Sequence, residues 1–189
     1  MKIVMISGSR NTQGQTARAA GALVDGAMNA GCAVEQIFLP ALVIERCVQC
    51  EDSGWGICRR EGVCILEDDF AAIVSKIREA DAVVFATPSY YGDLSECMRA
   101  FLDRLRRVCA AAEGRIGIQD KPAMGVCVAG GGGGGSLTCC VSLDKVLNGC
   151  GFDVLDMVPV KRQNLKAKLN NLRLNGAWLA TAAKMKPAS

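Results

Sequence analysis

The sequence predicts a doubly wound, three-layer α/β sandwich with five parallel strands in the order 2-1-3-4-5. Strand-like and helix-like segments alternate five times along the 189 residues. The strand-like runs are apolar without clear two-sided alternation, which is typical of strands buried on both faces. Right-handed crossover connections lead most simply to that strand order.

The first strand is the apolar run KIVMIS at residues 2–7, and the polar segment GSRNTQGQT follows it directly. The small residues that come next predict a long helix over roughly residues 16–29. The segment AVEQIFL at residues 33–39 alternates like a strand and ends at Pro40.

The second helix is predicted at residues 69–80, where apolar positions 70, 73, 74 and 77 keep helical spacing and Asp68 or Asp69 can cap the first turn. AVVFAT at residues 82–87 is a buried strand that Pro88 closes. A third helix is expected to begin near Ser95, because positions 94, 98, 101, 102, 105 and 108 are apolar.

PAMGVCVA at residues 122–129 is the fourth strand, and it runs into six glycines. The next helix is expected from Ser136 or Thr138 to about residues 149–151. A fifth strand follows at residues 152–160, and a last helix at roughly 165–183. The glycines lie inside the alternation and therefore predict a loop, so residues 1–189 are expected to form one domain with a cysteine-rich insertion at about 45–66.

Composition excludes several classes of function. Half of the residues are hydrophobic and 22% are charged, and the net charge of +3 is interspersed, so no nucleic-acid partner is implied. No apolar run approaches the roughly 20 residues of a membrane span, and no secretion signal is seen. An odd total of eleven cysteines then favours a reducing cytoplasm over a disulfide scaffold. Most of the cysteines outside the insertion are expected to be small core residues: Cys32, Cys97, Cys109, Cys127, Cys139, Cys140 and Cys150.

The chain contains no histidine. Ser-His-Asp and Cys-His catalysis are therefore excluded, as are histidine metal ligands. If the protein is an enzyme, a cofactor is expected to carry the difficult step.

Three loops follow strands 1, 3 and 4, which are neighbours in the predicted order. Loop 1 (residues 8–16) enters a helix with hydroxyl, amide and backbone N–H donors, which suits a phosphate. It lacks the sequences of a P-loop and of a Rossmann dinucleotide site. Loop 2 (residues 87–96) carries the two tyrosines of the chain beside a glycine, and loop 3 (residues 129–136) carries the six glycines. Together they predict a mononucleotide at the carboxyl edge, with its phosphate on loop 1 and a planar ring between loops 2 and 3.

The segments GSRNTQGQTARAA, TPSYYGDLSECMRAFLDRL and the glycine loop, in that order, resemble the NADPH-dependent FMN reductase family, whose fold is flavodoxin-like. The resemblance spans nearly the whole chain and implies FMN as cofactor, with NAD(P)H as co-substrate. The FMN-binding residues that it implies are Ser9, Arg10, Gly14, Gln15 and Thr16 at the phosphate, Pro88, Tyr90, Tyr91, Gly92 and Asp93 around the ring, and Gly130, Gly131 and Gly132 over its other side. The family's arginine often stands one residue later than Arg10 does here. No side chain is expected to be catalytic, because flavin N5 takes the hydride.

Cys47, Cys50, Cys58 and Cys64 form the pattern C-x2-C-x7-C-x5-C. The spacing leaves four interpretations open: a structural zinc site, a redox CxxC pair, a [4Fe–4S] cluster, or four unligated thiols. GVCILEDD at residues 62–69 resembles the end of the cysteine cluster in the iron–sulfur flavoproteins of the same family. The resemblance favours a [4Fe–4S] cluster over zinc, although EDSGWGI lengthens the middle gap.

The function that follows is an NAD(P)H-dependent FMN oxidoreductase that passes electrons to a flavin, a quinone or a protein acceptor. One alternative is an FMN and iron–sulfur electron carrier without its own NAD(P)H activity. Another is a zinc-stabilised binding module. The family resemblance also implies a homodimer or homotetramer.

Overall fold

The computed structural model describes residues 1–185. Its five strands form one parallel sheet in the order β2-β1-β3-β4-β5, as predicted. The strands are β1 (Lys2–Ser7), β2 (Ala33–Phe38), β3 (Ala82–Pro88), β4 (Pro122–Ala129) and β5 (Asp153–Lys161).

Seven helices accompany the sheet over residues 1–185, with short 3₁₀ turns at Leu39–Ala41 and Arg162–Asn164. The helices are α1 (Gln15–Asn29), α2 (Ile57–Glu61), α3 (Phe70–Glu79), α4 (Glu96–Val108), α5 (Ala112–Arg115), α6 (Ser136–Cys150) and α7 (Leu165–Met185). Helices α2 and α5 were not predicted, because five and four residues are too few to show a helical period.

The sheet separates two hydrophobic cores. Helices α1 and α7 pack on one face, where Leu23 and Leu172 are fully buried. Helices α3, α4 and α6 cover the other face with side chains such as Phe70, Phe101 and Leu143. Two covered faces make the predicted three-layer sandwich and leave the strand ends free to carry functional loops.

Six of the seven cysteines expected in the core are buried. The exception is Cys97, which lies half-buried at the carboxyl edge of the sheet, with its thiol 3.4 Å from the Gly8 carbonyl oxygen. Within residues 1–185, no helix combines the length and hydropathy that a bilayer-spanning segment needs.

Helices α1 and α7 approach each other closely enough for their backbones to touch. A Cβ atom on Gly26 of α1 would lie 1.9 Å from the carbonyl oxygen of Arg173, and one on Gly176 of α7 would lie 1.9 Å from that of Leu23. Both contacts are with backbone, which cannot rotate away as a side chain does. The two glycines therefore set the spacing of this helix pair.

We predict that Gly26→Ala lowers the free energy of unfolding by about 1–3 kcal/mol, because the added methyl group forces α1 and α7 apart. Gly21→Ala in the same helix is the matched control, since its Cβ would meet nothing within 4 Å among the described residues. It should be neutral or stabilising by up to about 1 kcal/mol. Urea unfolding of both variants measures the difference, and equal midpoints would contradict the close approach.

Candidate functional site

Loops 1 and 2 are joined by hydrogen bonds at the carboxyl edge of the sheet. The Ser95 hydroxyl donates to the Gly8 carbonyl oxygen at 3.0 Å, and the Thr87 and Ser95 hydroxyls lie 3.2 Å apart. The Gly8 N–H donates to the Ala86 carbonyl oxygen at 2.8 Å. Ser95 is buried and directly precedes α4, so the start of that helix is fixed against the end of β1.

Loops 2 and 3 are also in contact. The Ser89 hydroxyl donates to the Gly135 carbonyl oxygen at 3.0 Å. A Cβ atom on Gly135 would lie 2.6 Å from the Cα atom of Gly92, so these two glycines bring the loop backbones together. The three predicted loops therefore meet along one edge.

The N-terminus of α1 presents loop 1 with unneutralised positive charge. Gly14 precedes the helix and supplies no side-chain cap, and the first turn contains no acidic residue. The first backbone N–H groups of a helix lack intrahelical partners, and the helix dipole adds partial positive charge there. Ser9 and Thr16 are buried beside this end of the helix, whereas Arg10 is exposed.

Residues 90–93 form a tight turn in loop 2. The backbones of Tyr90 and Asp93 exchange two hydrogen bonds of 3.0 Å, and Tyr91 and Gly92 at the tip have φ values of 50° and 81°. This two-residue turn requires positive φ at both tip positions, which Gly92 adopts without cost. It also turns the ring of Tyr91 fully into solvent, while Tyr90 is half exposed.

The carboxylate of Asp93 is held by its own loop and by α4. Burial alone would raise the pKa of Asp93, but the Leu94 N–H donates to it at 2.8 Å and the Arg99 guanidinium forms an ion pair with it. These contacts outweigh burial and lower the pKa, so Asp93 is ionised near neutral pH.

A cavity of about 340 Å³ opens between loop 1, loop 2 and the end of β2. Its lining comprises Gly8, Arg10, Pro40, Tyr90, Ser95, Glu96 and Cys97. Sequence reasoning singled out Arg10 and Tyr90 as site residues but missed the contributions of Pro40, Ser95, Glu96 and Cys97. The sequence offered no signal for Cys97, because it stands three residues after Leu94 and four before Phe101, at the border of the apolar face of α4.

The glycine loop divides into an open part and a packed part. A Cβ atom on Gly130, Gly131 or Gly132 would meet nothing within 4 Å among the described residues. On Gly133 it would approach the side-chain oxygen of Gln163 to 2.5 Å. The first three glycines therefore leave backbone accessible beside the sheet edge, whereas Gly133 and Gly135 pack against other residues and fix the loop.

The four cysteines of residues 47–64 line one cavity, together with Arg104 and Arg107 of α4. Cys50 is exposed and the other three are half-buried. Over the described residues, no group of three or more cysteine, histidine or acidic side chains is placed to hold a single metal ion. The four thiols share one cavity, but in this structure they do not have the geometry of a metal-ion site.

The cavity is narrow, with a volume of about 20 Å³. That is room for about one water molecule. Residues 42–56 contain neither helix nor strand, so the cysteine segment can move outward more readily than the sheet or α4 can.

A buried ion pair borders this cavity. Arg104 and Asp68 have side-chain exposures of 1% and 3%, and two hydrogen bonds of 2.5 Å and 3.0 Å join them. Burial by itself would raise the pKa of Asp68, but Arg104 and the N–H groups of Glu45 and Phe70 lower it. Asp68 thereby links the cysteine segment, α3 and α4.

Trp55, which lies in the lengthened gap between Cys50 and Cys58, packs against two arginines. The guanidinium carbons of Arg107 and Arg59 lie 4.7 Å and 5.2 Å from the centre of its ring. Arg107 also donates to the Gly54 carbonyl oxygen at 2.6 Å. These contacts attach the extra residues of the gap to α4.

Comparison with known proteins gives the chain a family. A family model described as NADPH-dependent FMN reductase matches residues 1–168. An iron-sulfur flavoprotein of Methanocaldococcus jannaschii is 33% identical over 133 residues, which are 68% of this chain and 61% of that protein. This chain therefore spans less than two thirds of the relative's length.

Solved structures with low sequence identity share the fold. RosB with bound 8-demethyl-8-formylriboflavin-5'-phosphate matches with a TM-score of 0.74 and 16% identity, over 100% of this chain and 82% of RosB. A flavodoxin, WrbA-like protein from Agrobacterium tumefaciens matches with a TM-score of 0.64 and 20% identity, over 98% and 99% of the two chains. The fold is flavodoxin-like, as predicted.

We predict that Asp68→Asn lowers the free energy of unfolding at pH 7 by about 3–5 kcal/mol, because it leaves the charge of Arg104 buried and unpaired. The folded-state pKa of Asp68 is lowered, so its stabilising effect is present above the unfolded value of about 3.9. The effect is lost as the pH falls through the folded value.

Asp103→Asn is the control, because Asp103 pairs with Arg106 of the same helix at 3.1 Å on the half-exposed surface. It should cost less than about 1 kcal/mol. Urea unfolding from pH 7 to pH 3 compares the variants with the wild type. If the difference in unfolding free energy between Asp68→Asn and the wild type does not shrink as the pH falls, the ion pair is not its source.

Proposed function

This chain belongs to the NADPH-dependent FMN reductase family, and from that membership we propose that it is a flavoprotein that takes hydride from NAD(P)H and passes electrons to a flavin, a quinone or a protein acceptor. The observation that carries the proposal is the meeting of loops 1, 2 and 3 at one edge of the sheet. Bound FMN would supply the hydride chemistry, so the chain needs no catalytic side chain of its own.

The end of α1 would hold the phosphate. Backbone N–H groups from Gly14 to Thr16 and the hydroxyls of Ser9 and Thr16 are the donors at this position. Donors at a helix N-terminus bind phosphate through hydrogen bonds and through the helix dipole. The exposed Arg10 would add positive charge from the cavity side.

The flavin ring would lie between loops 2 and 3. Pro88, Tyr90 and Gly92 present one side, and the open glycines 130–132 present accessible N–H groups on the other. Tyr91, whose ring is exposed, and Asp93, which is ion-paired with Arg99, would complete this side of the flavin site.

We also propose that the four cysteines hold a [4Fe–4S] cluster. Four thiols line one cavity, and thiolates are the ligands of such clusters. The cluster would supply one-electron transfer, and loading it requires outward movement of residues 42–56.

The proposal also covers the oligomeric state, the domain boundaries and the cellular location of the protein. We propose a homodimer or homotetramer, on the family resemblance, with residues 1–189 as one domain that carries the cysteine insertion. We also propose a reducing compartment such as the cytoplasm, because an odd total of eleven cysteines does not fit a disulfide scaffold.

An electron carrier without NAD(P)H activity is the second candidate. It is favoured by the four clustered thiols and by the similarity to an iron-sulfur flavoprotein. Bleaching of the bound flavin by NADPH or NADH under anaerobic conditions supports the oxidoreductase. Bleaching only by a reduced iron–sulfur protein supports the carrier.

We predict that Thr16→Ala weakens FMN binding roughly ten- to a hundredfold, because a hydrogen bond to a charged phosphate contributes about 1.5–3 kcal/mol. Thr181→Ala in α7 is the control, since that hydroxyl donates to Ala177 within its own helix. Quenching of flavin fluorescence measures the affinity of both variants. Equal affinities would reject the phosphate position without bearing on NADPH oxidation at saturating FMN.

We predict that Cys58→Ser loses most of the iron and acid-labile sulfide of the anaerobically purified protein, because one of four ligands is removed. Cys32→Ser changes a buried cysteine of the other core and should retain both. Metal and sulfide analysis compares the two. Full iron content in Cys58→Ser refutes the ligand set.

A further inference from the structure

One polar atom at the wall of the four-thiol cavity stands out. The Nε atom of Arg104 is buried and has no hydrogen-bond partner within residues 1–185. Arg104 is 1% exposed and lines the cavity together with the four thiols. A buried N–H without a partner costs roughly 1–3 kcal/mol, so the position of this atom calls for a partner that appears when the site is loaded.

The two terminal nitrogens of the Arg104 guanidinium already have hydrogen-bond partners. Both terminal nitrogens donate to Asp68, and one of them also donates to the Glu45 carbonyl oxygen at 3.1 Å. The Phe70 ring lies against the guanidinium carbon at 4.2 Å. These contacts fix the plane of the group, so the direction of the Nε–H bond is set by the fold.

Cys64 lines the same cavity as Arg104 and is the one thiol of the four that affects its pKa. Burial alone would lower the pKa of Arg104, whereas the Asp68 carboxylate and the adjacent Cys64 sulfur raise it. Cys64 stands four residues before Asp68, so the same stretch of chain supplies both the carboxylate that holds Arg104 and the sulfur beside it.

We propose that Arg104 is a positioning residue of the four-thiol site, held by Asp68 so that its Nε–H is directed at the sulfur of Cys64. In the iron-free protein that sulfur is a thiol, which accepts only weakly, and the Nε–H has no hydrogen-bond partner within residues 1–185. In the loaded protein the sulfur is a thiolate, to which the Nε–H donates a charge-assisted hydrogen bond. The second statement rests on the cluster proposed above, and the first does not.

The consequence for a loaded site is a higher reduction potential. Hydrogen bonds to the ligand sulfurs, net charge and solvent exposure set the potential of an iron–sulfur cluster. A fixed cationic donor favours the reduced form, because that form carries one more negative charge. Arg104 would thus set how readily the site accepts an electron.

Arg107 provides a matched comparison on the same helix. It lines the same cavity, but it stacks on Trp55 and donates to the Gly54 carbonyl oxygen rather than facing Cys64. Arg104→Lys and Arg107→Lys each keep one positive charge beside the thiols. They differ in whether a donor directed at Cys64 is lost.

The first experiment measures the midpoint potential of the anaerobically purified, iron-loaded full chain. We expect Arg104→Lys to lower the midpoint potential by about 59 mV. For a one-electron couple, this shift changes the ratio of reduced to oxidised protein about tenfold at a fixed solution potential. Iron content should be unchanged, and Arg107→Lys should shift the potential much less. Equal potentials in the two variants overturn the tuning role.

The second experiment tests the contact itself in the iron-free full chain. The ¹⁵N resonance of Arg104 Nε is assigned by its absence in Arg104→Lys, or by its slow solvent exchange if that variant does not fold. Cys64→Ala should move this resonance, and Cys50→Ala should leave it in place. If neither or both variants move it, the contact with Cys64 is refuted.

The two experiments separate the two proposals. A wild-type protein without iron and sulfide refutes the cluster, while the nuclear resonance still decides the placement of Arg104. If the protein contains the cluster, but Arg104→Lys does not change its potential and Cys64→Ala does not move the Arg104 resonance, the positioning role is refuted and the cluster proposal stands. A purely structural arginine would lower stability without moving either signal.

Discussion

The candidate site depends on the parallel register of β1, β3 and β4. Ser7 pairs with Ala86 and Thr87 pairs with Cys127, so the three strands end at nearly the same height. Loops 1, 2 and 3 leave the sheet side by side for that reason, although they are separated by some 80 and 40 residues in the chain. Side-chain contacts then lock the arrangement, since Ser95 bonds Gly8 and Ser89 bonds Gly135. A sheet with one antiparallel strand among these three would place one loop at the opposite edge.

Helix α4 connects this edge with the four-thiol cavity. Its first turn carries Cys97 beside loop 1, and Arg104 lies seven residues further on. Seven residues of α-helix span about 10 Å, so one rigid element holds both places at a fixed separation. The buried positions Met98 and Phe101 anchor the helix to the sheet between them. Any electron exchange between the two places would therefore occur across a distance that the fold sets rather than across a mobile linker.

Much of the fold could be predicted from the sequence, because it is carried by hydrophobic period and by turn residues. The strand order followed from the alternation, and the meeting of the loops followed from the strand order. What could not be predicted depends on tertiary contacts. The exposure of Tyr91 comes from a turn with two positive φ values, and the ion pair of Asp93 is made with Arg99, which lies six residues later in α4. The cofactor contact of Asp93 followed only from the family resemblance, and that of Tyr91 from its aromatic ring and from the resemblance, and neither of these reports the local turn.

The Asp68–Arg104 pair shows why polar residues in a core point to function more strongly than to stability. A buried ion pair recovers its desolvation cost only with good geometry, and well-packed apolar residues of similar volume often stabilise as much or more. This pair has the good geometry, with two hydrogen bonds to the carboxylate and two backbone N–H groups completing it. Among the residues that the structure describes, however, the Nε–H of Arg104 has no hydrogen-bond partner. This N–H lies at the wall of the cavity that the four thiols line. Stability alone would favour an apolar side chain there. A cation held in a fixed orientation beside sulfur atoms is instead what an anionic thiolate group requires.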